Sequence, residues 1–278
     1  MFFMWGFVVL MFLLVVQVSN MFVWWSVFVF MDLIFIWVCK GGSFNCMLNY
    51  YVLQECLGLM FMLLFGSCLQ GVVVMVKMGL VPFHYWLYVV VGGLKYWMLM
   101  WFLTFQKLPF MGVLMMIMSN YLFWLLLVGF VICYFQLLLI KSYKFMLVLN
   151  STESFNWILL GYMFSFFSGL MIFVYYLSLS IFLIPLFGEE VICDYEWLVI
   201  LFYINVPLGI PFFVKFFVVS SVFSFYFLWF VIIMMLMFFS FMALFVWMFV
   251  KVMGDNSGLV KMSSLFYIIY GLFFVVLL

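Results

Sequence analysis

Long apolar runs, separated by short polar or glycine-containing segments, occupy almost the whole chain. A helix of about 20 apolar residues crosses the ~30 Å hydrocarbon layer of a bilayer. The residue-by-residue alternation of a membrane barrel is absent, so each crossing is predicted to be an α-helix that satisfies its own backbone hydrogen bonds. Eleven runs approach the required length and predict crossings near residues 2–19, 21–39, 49–68, 70–91, 95–118, 120–139, 145–163, 165–187, 197–219, 222–250 and 263–278.

Two of the predicted helices are interrupted by proline. The stretch 77–87 reads KMGLVPFHYWL, in which Pro82 follows Lys77, and the stretch 205–215 reads NVPLGIPFFVK and ends on Lys215. The broken helices lie five apart, with the lysine before one break and after the other, as inverted five-helix repeats of antiporter-like proteins predict. No long linker separates domains, so we predict one membrane domain over 1–278, with a first repeat at about 1–118, a second at about 120–250 and a C-terminal helix at about 263–278.

Composition makes the few charges informative. Of the 278 residues, 73% are hydrophobic and 6% are charged, whereas soluble domains have roughly 45–50% apolar and about 25% charged residues. At ~1.5 Å per residue, Asp32 lies about 3 Å and Lys77 about 5 Å from the middle of their predicted helices, and Lys107 lies near the middle of the fifth. Because a charge at that depth costs about 2.5–3.5 kcal/mol, we expect Asp32 to pair with Lys77 and the other buried lysines to face a hydrated interior.

Two further residues, His84 and Glu153, belong to the candidate set. His84 adjoins the Pro82 break, and both a hydrogen-bonded core histidine and a proton stepping stone fit this position. Glu153 lies roughly 10 Å inside the seventh predicted helix. Pro109 comes shortly after Lys107 in LTFQKLPF and predicts a third kink.

The residue patterns exclude several kinds of chemistry. The six cysteines show no CxxC spacing and no pairing with the lone histidine, so we expect no metal or iron–sulfur cluster on this chain. The glycine pairs lack the context of a nucleotide-binding loop, so no bound cofactor is expected. There is no basic run, and nucleic acid is not an expected partner, whereas membrane lipids are.

The basic residues also predict an orientation. All nine are lysines, and the lysines at helix ends follow even-numbered predicted helices. By the positive-inside rule, the N-terminus lies on that cytoplasm-like or matrix side and the C-terminus lies opposite. The start, MFFMWGFVVL, lacks a basic signal region, so we expect synthesis inside the compartment where the protein works.

The interrupted stretch also resembles a known family. KMGLVPFHYWL is similar to the MKLGMAPFHFW-type segment of NADH–ubiquinone oxidoreductase chain 2, the mitochondrially encoded antiporter-like subunit of respiratory complex I. FLTFQKLPF resembles that family's LLTWQKLAP and matches Lys107 to its central lysine. FVFMDLIF, YYVLQ and NVPLGIPFFVK resemble WVGLEMN, YFLTQ and GLPPLTGFLPK, which extends the match from Asp32 to Lys215.

The resemblance implies a membrane-arm subunit of a proton-translocating NADH:ubiquinone reductase in the mitochondrial inner membrane. Its partners would be the other membrane-arm subunits of complex I. NADH, FMN, iron–sulfur clusters and quinone are expected in other subunits, so this chain performs no redox catalysis itself. The residues that we expect to carry protons are Asp32, Lys77, Lys107, Lys215, His84 and Glu153.

Two departures from the family pattern stand out. Asp32 occupies the position of a glutamate. VLNSTESFNW at 148–157 corresponds to the family's AYSSITHMGW, with Ser154 in place of the histidine and Glu153 where a neutral residue is usual.

Two other functions also fit broken helices with buried charges: a free-standing cation/proton antiporter, and a non-pumping structural subunit in which the charges fix helix register.

Overall fold

A computed structural model describes residues 2–140, 142–186, 210–223, 231–240 and 242–243, and the regular elements within these ranges are helices. The first ten are α1 (Phe2–Gln17), α2 (Met21–Val38), α3 (Phe44–Leu63), α4 (Leu69–Met78), α5 (Tyr85–Gly92), α6 (Tyr96–Leu103), α7 (Lys107–Ile117), α8 (Asn120–Leu139), α9 (Tyr143–Phe164) and α10 (Phe166–Leu186). Two further helices are Ile210–Phe223 and Val231–Ser240.

The prediction of an all-helical protein is confirmed for the described residues. By length and composition, four helical segments can cross a membrane: Met21–Val38, Phe44–Leu63, Trp97–Ile117 and Tyr121–Leu139. The full count of eleven crossings and the inverted repeats stay predictions. The crossing near 263–278, most of the one near 197–219, much of the one near 222–250 and the first part of the break at 205–215 lie outside the described residues.

The third helix begins earlier than the sequence predicted. The expected crossing starts at residue 49, but α3 begins at Phe44, directly after Ser43 in extended backbone. The polar residues Asn45 and Asn49 stand inside its first turns. The predicted boundary was wrong because the helix accommodates Asn45 and Asn49, and the glycine pair before Ser43 lies in the preceding turn.

Contacts between residues divide the chain into two compact units. Unit 1 comprises Met1–Gly129 with Ser151–Glu153, and unit 2 comprises Phe130–Asn150 with Ser154–Leu278. In unit 1, α7 packs on α1 and α4, while α3 packs on α2, α4 and α5. In unit 2, α10 packs on the helix Ile210–Phe223.

The predicted break in the fourth crossing is present. Helix α4 ends at Gly79, whose φ of +66° is the left-handed conformation that glycine adopts at least cost. The Leu80 amide donates to the Met75 carbonyl across 3.0 Å, which closes the end of the helix. Pro82 has no amide to donate, and α5 begins only at Tyr85. The predicted fourth crossing is therefore built as two short helices.

The fifth crossing has a second interruption, at the kink predicted from Pro109. Helix α6 ends at Leu103 and α7 begins at Lys107, so the turn 104–106 separates them. The Thr104 hydroxyl donates to the Met100 carbonyl at 2.6 Å. The backbone N–H of Gln106 donates to the Trp101 carbonyl at 3.1 Å. Pro109 lies in the first turn of α7, where its missing amide does not break a helix hydrogen bond.

Polarity is distributed as in a membrane protein. Large apolar side chains point outwards, with Leu63 80%, Leu139 78% and Phe65 70% exposed. Asp32 and Lys77, in contrast, are almost completely buried. Exposed apolar surface of this extent is typical of contact with lipid or with protein partners, and buried charge requires a specific partner.

Candidate functional site

Asp32 and Lys77 form the ion pair that their depth predicts. Asp32 lies in the second half of α2 and Lys77 in the last turn of α4. The Lys77 Nζ atom is 3.4 Å from Asp32 Oδ2. Both side chains are 1% exposed. In a low-dielectric interior such a pair persists only if hydrogen bonds satisfy the remaining polar atoms. The surroundings of the carboxylate supply them.

The second oxygen of Asp32 is held by α3 and by the turn 104–106. The Tyr50 hydroxyl donates to Asp32 Oδ1 at 2.5 Å. Gln106 Nε2 donates to the Tyr50 hydroxyl oxygen at 2.7 Å and to the Met31 carbonyl at 3.1 Å, and it lies 3.4 Å from Asp32 Oδ1. Tyr50, Gln54 and Gln106 are at most 2% exposed. The two carboxylate oxygens therefore have separate partners.

Aromatic rings enclose the lysine amine. Its Nζ atom lies 4.8 Å from the centre of the Phe28 ring and 5.2 Å from that of Phe110. Ring faces attract cations, with more effect where water is excluded. A Cβ placed on Gly58 would lie 3.7 Å from Lys77 Nζ, so the glycine brings α3 close to the amine. Three features of the pocket attract an ammonium group, namely a carboxylate, two rings and the C-terminal end of α4, and they act against the cost of removing the amine from water.

Side chains from neighbouring elements complete the end of α4. Gln54 Nε2 donates to the Lys77 carbonyl at 3.0 Å. Trp86 Nε1, from α5, donates to the Val76 carbonyl at 3.0 Å. Carbonyls freed by a helix break inside a membrane need such donors. Hydrogen bonds from neighbouring helices therefore stabilise the break, and the break fixes the position of Lys77.

The other predicted residues are buried at several places. His84 is 0% exposed beside the Tyr85 and Tyr88 rings, with centroids 5.0 and 5.4 Å away. Lys107 is 2% exposed at the start of α7. Glu153, in α9, is 0% exposed within the buried polar run Asn150–Glu153. Their burial agrees with a role in charge transfer, but the roles themselves stay predictions.

Lys215 is described within unit 2. It is 6% exposed, and its Nζ atom lies 5.5 Å from the centre of the Trp157 ring. It stands in the continuous helix Ile210–Phe223, so the described part of the predicted break at 205–215 is helical. A route that joins Lys215 to the lysines of unit 1 stays a prediction.

Sequence reasoning missed the neutral partners of the ion pair. In the sequence, Tyr50 and Gln54 stand in YYVLQ and Gln106 directly precedes Lys107, and none of the three carries a charge that would mark it as a partner. The available signal was the presence of polar side chains in apolar runs, since a buried glutamine must hydrogen-bond.

Among the described residues, no cluster of histidine, cysteine, aspartate or glutamate side chains is suited to hold a metal ion.

The described structure is that of a helical membrane protein with a buried, hydrogen-bonded acid–lysine pair at a helix break. Over 196 residues, the chain is 46% identical to NADH-ubiquinone oxidoreductase chain 2 of Ascaris suum, covering 70% of this chain and 65% of that protein. Over 203 residues, it is 41% identical to NADH-ubiquinone oxidoreductase chain 2 of Caenorhabditis elegans, covering 72% of each.

The chain belongs to the NADH-ubiquinone oxidoreductase chain 2 family, and the resemblance inferred from KMGLVPFHYWL is confirmed. The aligned segment spans just under two thirds of the Ascaris suum protein. No protein-family model matches the chain.

Proposed function

We propose that this chain is a membrane-arm subunit of proton-translocating NADH:ubiquinone oxidoreductase, complex I, in the mitochondrial inner membrane. In this proposal the N-terminus lies on the matrix side and the C-terminus on the intermembrane-space side. The names of the two relatives support membership of that enzyme. The other subunits bind NADH, FMN, the iron–sulfur clusters and quinone, and this chain contributes a proton path.

The Asp32–Lys77 pair is the observation that carries the proposal. A cation and an anion 3.4 Å apart, both buried, can exist in two states according to whether the amine stays paired. Moving one charge against the membrane potential takes ~2.3 kcal/mol per 100 mV. Because the chain has no motif for a nucleotide or redox group, the energy comes from partner subunits, and their redox chemistry alters the pairing.

The proposed path continues from the pair through the remaining buried groups. His84 and Lys107 in unit 1, Glu153 in α9 and Lys215 in unit 2 pass protons along a hydrated line near the middle of the membrane. Burial of each of these side chains supports the assignment, since ionisable groups at membrane depth mark proton and ion pathways. Ser154 stands where the related segment carries a histidine, and in this proposal the neighbouring Glu153 takes over its role.

The test is the ratio of protons pumped to electrons transferred in assembled complex I that carries a variant of this chain. We expect Lys77→Met and Lys107→Met to lower the ratio. Lys95→Met is the matched control, because Lys95 is an exposed lysine directly before α6, and it should leave the ratio unchanged. Wild-type ratios in assembled Lys77→Met and Lys107→Met complexes would refute the proposal.

Two alternative functions predict different experimental results. A free-standing antiporter exchanges cations for protons when the purified chain is placed in liposomes, whereas a subunit is inactive without its neighbours. If the charges only fix helix register, the double variant Asp32→Asn with Lys77→Met keeps the wild-type pumping ratio while each single variant impairs assembly.

A further inference from the structure

The two oxygens of the Asp32 carboxylate are bound in unequal ways. Oδ1 accepts from the Tyr50 hydroxyl at 2.5 Å and lies 3.4 Å from Gln106 Nε2, while Oδ2 faces Lys77 Nζ at 3.4 Å. The Tyr50 bond is short, as expected for a hydroxyl that donates to an ionised carboxylate. The contact between Oδ2 and Lys77 Nζ is longer, and it is therefore the weaker of these two interactions of the carboxylate.

Gln106 locks the tyrosine in this arrangement. Its Nε2 donates to the Tyr50 oxygen at 2.7 Å. The single proton of the Tyr50 hydroxyl is therefore directed at Asp32. The same amide donates to the carbonyl of Met31, the residue next to Asp32 on α2. The Tyr50 ring is fixed against Phe35 and Phe102, with centroids 4.3 and 5.8 Å away. These contacts attach the carboxylate to α2, α3 and the turn 104–106 at once.

The lysine has fewer fixed contacts. Among the described residues its Nζ atom has one hydrogen-bond acceptor, Asp32 Oδ2, and the Phe28 and Phe110 rings lie beside it. Ring faces attract a cation without fixing its position as a hydrogen bond does. A lysine side chain also has four flexible carbon–carbon bonds, whereas aspartate is short.

We propose that Tyr50 and Gln106 are positioning residues that keep Asp32 ionised and fixed, so that Lys77 is the member of the pair that changes position or charge. This inference rests on the proposed function and deepens it. Asp32 then serves as a permanent counter-ion and does not itself receive the proton from Lys77. Proton transfer along the path occurs on the amine side of the pair.

The titratable groups that act on Asp32 define what a test has to control. Lys77 reaches it from α4, and Tyr50 and Glu55 act from α3. Gln106, from the turn before α7, is uncharged and affects Asp32 only as a donor. Substitutions of Tyr50 and Gln106 therefore change hydrogen bonding to the carboxylate without changing the number of charges around it.

The test uses complex I assembled with Tyr50→Phe, Gln106→Leu or both, and compares the pH dependence of the pumping ratio. Loss of a hydrogen bond to an anion makes protonation of that anion about tenfold easier. The acid limb of the pumping profile should therefore move up by about one pH unit in Tyr50→Phe, and further in the double variant. Tyr51→Phe and Gln17→Leu, which alter exposed side chains on α3 and α1, should leave the profile in place.

Infrared spectroscopy provides a readout that a purely structural role would not change. The double variant should show a protonated-carboxyl band on acidification, and adding Asp32→Asn should remove that band. In a double-mutant cycle, Tyr50→Phe should have no further effect on pumping once Asp32 is Asn, since the tyrosine acts through the carboxylate.

The outcomes separate this inference from the proposed function. If Asp32→Asn and Lys77→Met lower the pumping ratio while the Tyr50 and Gln106 variants keep the wild-type profile and show no new band, only the positioning role is wrong. If Lys77→Met and Lys107→Met pump as the wild type does, the proposed function is wrong. Failure of both single variants to assemble would also overturn the inference, because a residue that only orients Asp32 leaves the ion pair in place.

Discussion

Gln54 on α3 donates its side-chain amide to the backbone carbonyl of Lys77 across 3.0 Å, so the residue that carries the buried cation is held by its main chain as well as by Asp32. The two attachments are chemically independent. One fixes where α4 ends, and the other fixes the charge. Removing each in turn should separate the stability of the helix break from the function of the ion pair.

Replacing Gln54 with Leu should destabilise the break. The Lys77 carbonyl loses its side-chain donor, and an unsatisfied buried carbonyl costs about 1–3 kcal/mol. The net loss should lie at the lower end, because Gln54 Oε1 is itself buried without a hydrogen-bond partner in the described part of the chain, and the substitution removes it too. Thermal denaturation of the solubilised complex measures the change.

The matched control for this variant is Gln17→Leu. Gln17 is exposed at the end of α1, so the same chemical change there should stay within about 0.5 kcal/mol of wild type. Equal melting temperatures for Gln54→Leu and Gln17→Leu would contradict the capping role of Gln54.

Neutralising one member of the ion pair should lower the stability of the protein more than neutralising both. Asp32→Asn leaves a buried ammonium group without its anion, and breaking a buried pair in this way costs about 3–5 kcal/mol. Adding Lys77→Met removes that uncompensated charge, so the double variant should recover most of the lost stability. The yield of assembled complex on native gels and its melting temperature report both effects. A double variant as unstable as Asp32→Asn would show that the two charges are not coupled.

Gly79→Ala should destabilise unit 1. At φ +66° an alanine is strained by about 1–2 kcal/mol, and its Cβ would come within 2.6 Å of the Leu87 side chain. Gly92→Ala is the control, because a Cβ at this exposed position on α5 has no neighbour within 4 Å. Melting temperatures should fall for the first variant and not for the second.

Gly169→Ala should destabilise unit 2 by about 1–3 kcal/mol through overpacking. A Cβ at Gly169 would lie 2.8 Å from the Tyr162 backbone nitrogen and 2.9 Å from its Cα atom, and backbone atoms cannot rotate away. Small residues allow this close approach of α9 and α10. Gly6→Ala, with open space around the glycine, serves as the control. Protection of α10 amides from hydrogen exchange should decrease only in the first variant.

The sequence predicted the ion pair but not its environment. Asp32 and Lys77 are 45 residues apart, and membrane depth was sufficient to expect that they meet. Depth decides whether a charge needs a partner, and only one acid lay near the middle of a neighbouring helix. The choice among neutral donors depends on helix rotation and packing, which the apolar pattern leaves open. For that reason Tyr50, Gln54 and Gln106 could not be assigned as partners in advance.

The helix breaks were predictable because proline and glycine have local effects. Pro82 and Pro109 marked two interruptions, and Gly79 ends α4 in a conformation that glycine favours. The beginning of α3 at Phe44 was missed, because asparagines are tolerated in the first turns of a helix as well as in loops. Local chemistry therefore located the breaks, whereas polarity was a poor guide to a helix end.

The division of the predicted fourth crossing into α4 and α5, of 10 and 8 residues, has an electrostatic consequence. At ~1.5 Å per residue these helices are about 15 and 12 Å long, close to half the thickness of the hydrocarbon layer. Each ends with a partial charge from its aligned peptide groups, and these partial charges remain whatever protons the side chains gain or lose. The interior of the protein thus contains a permanent field at the position of Lys77, and this field contributes to the free energy of any change in the charge of its amine.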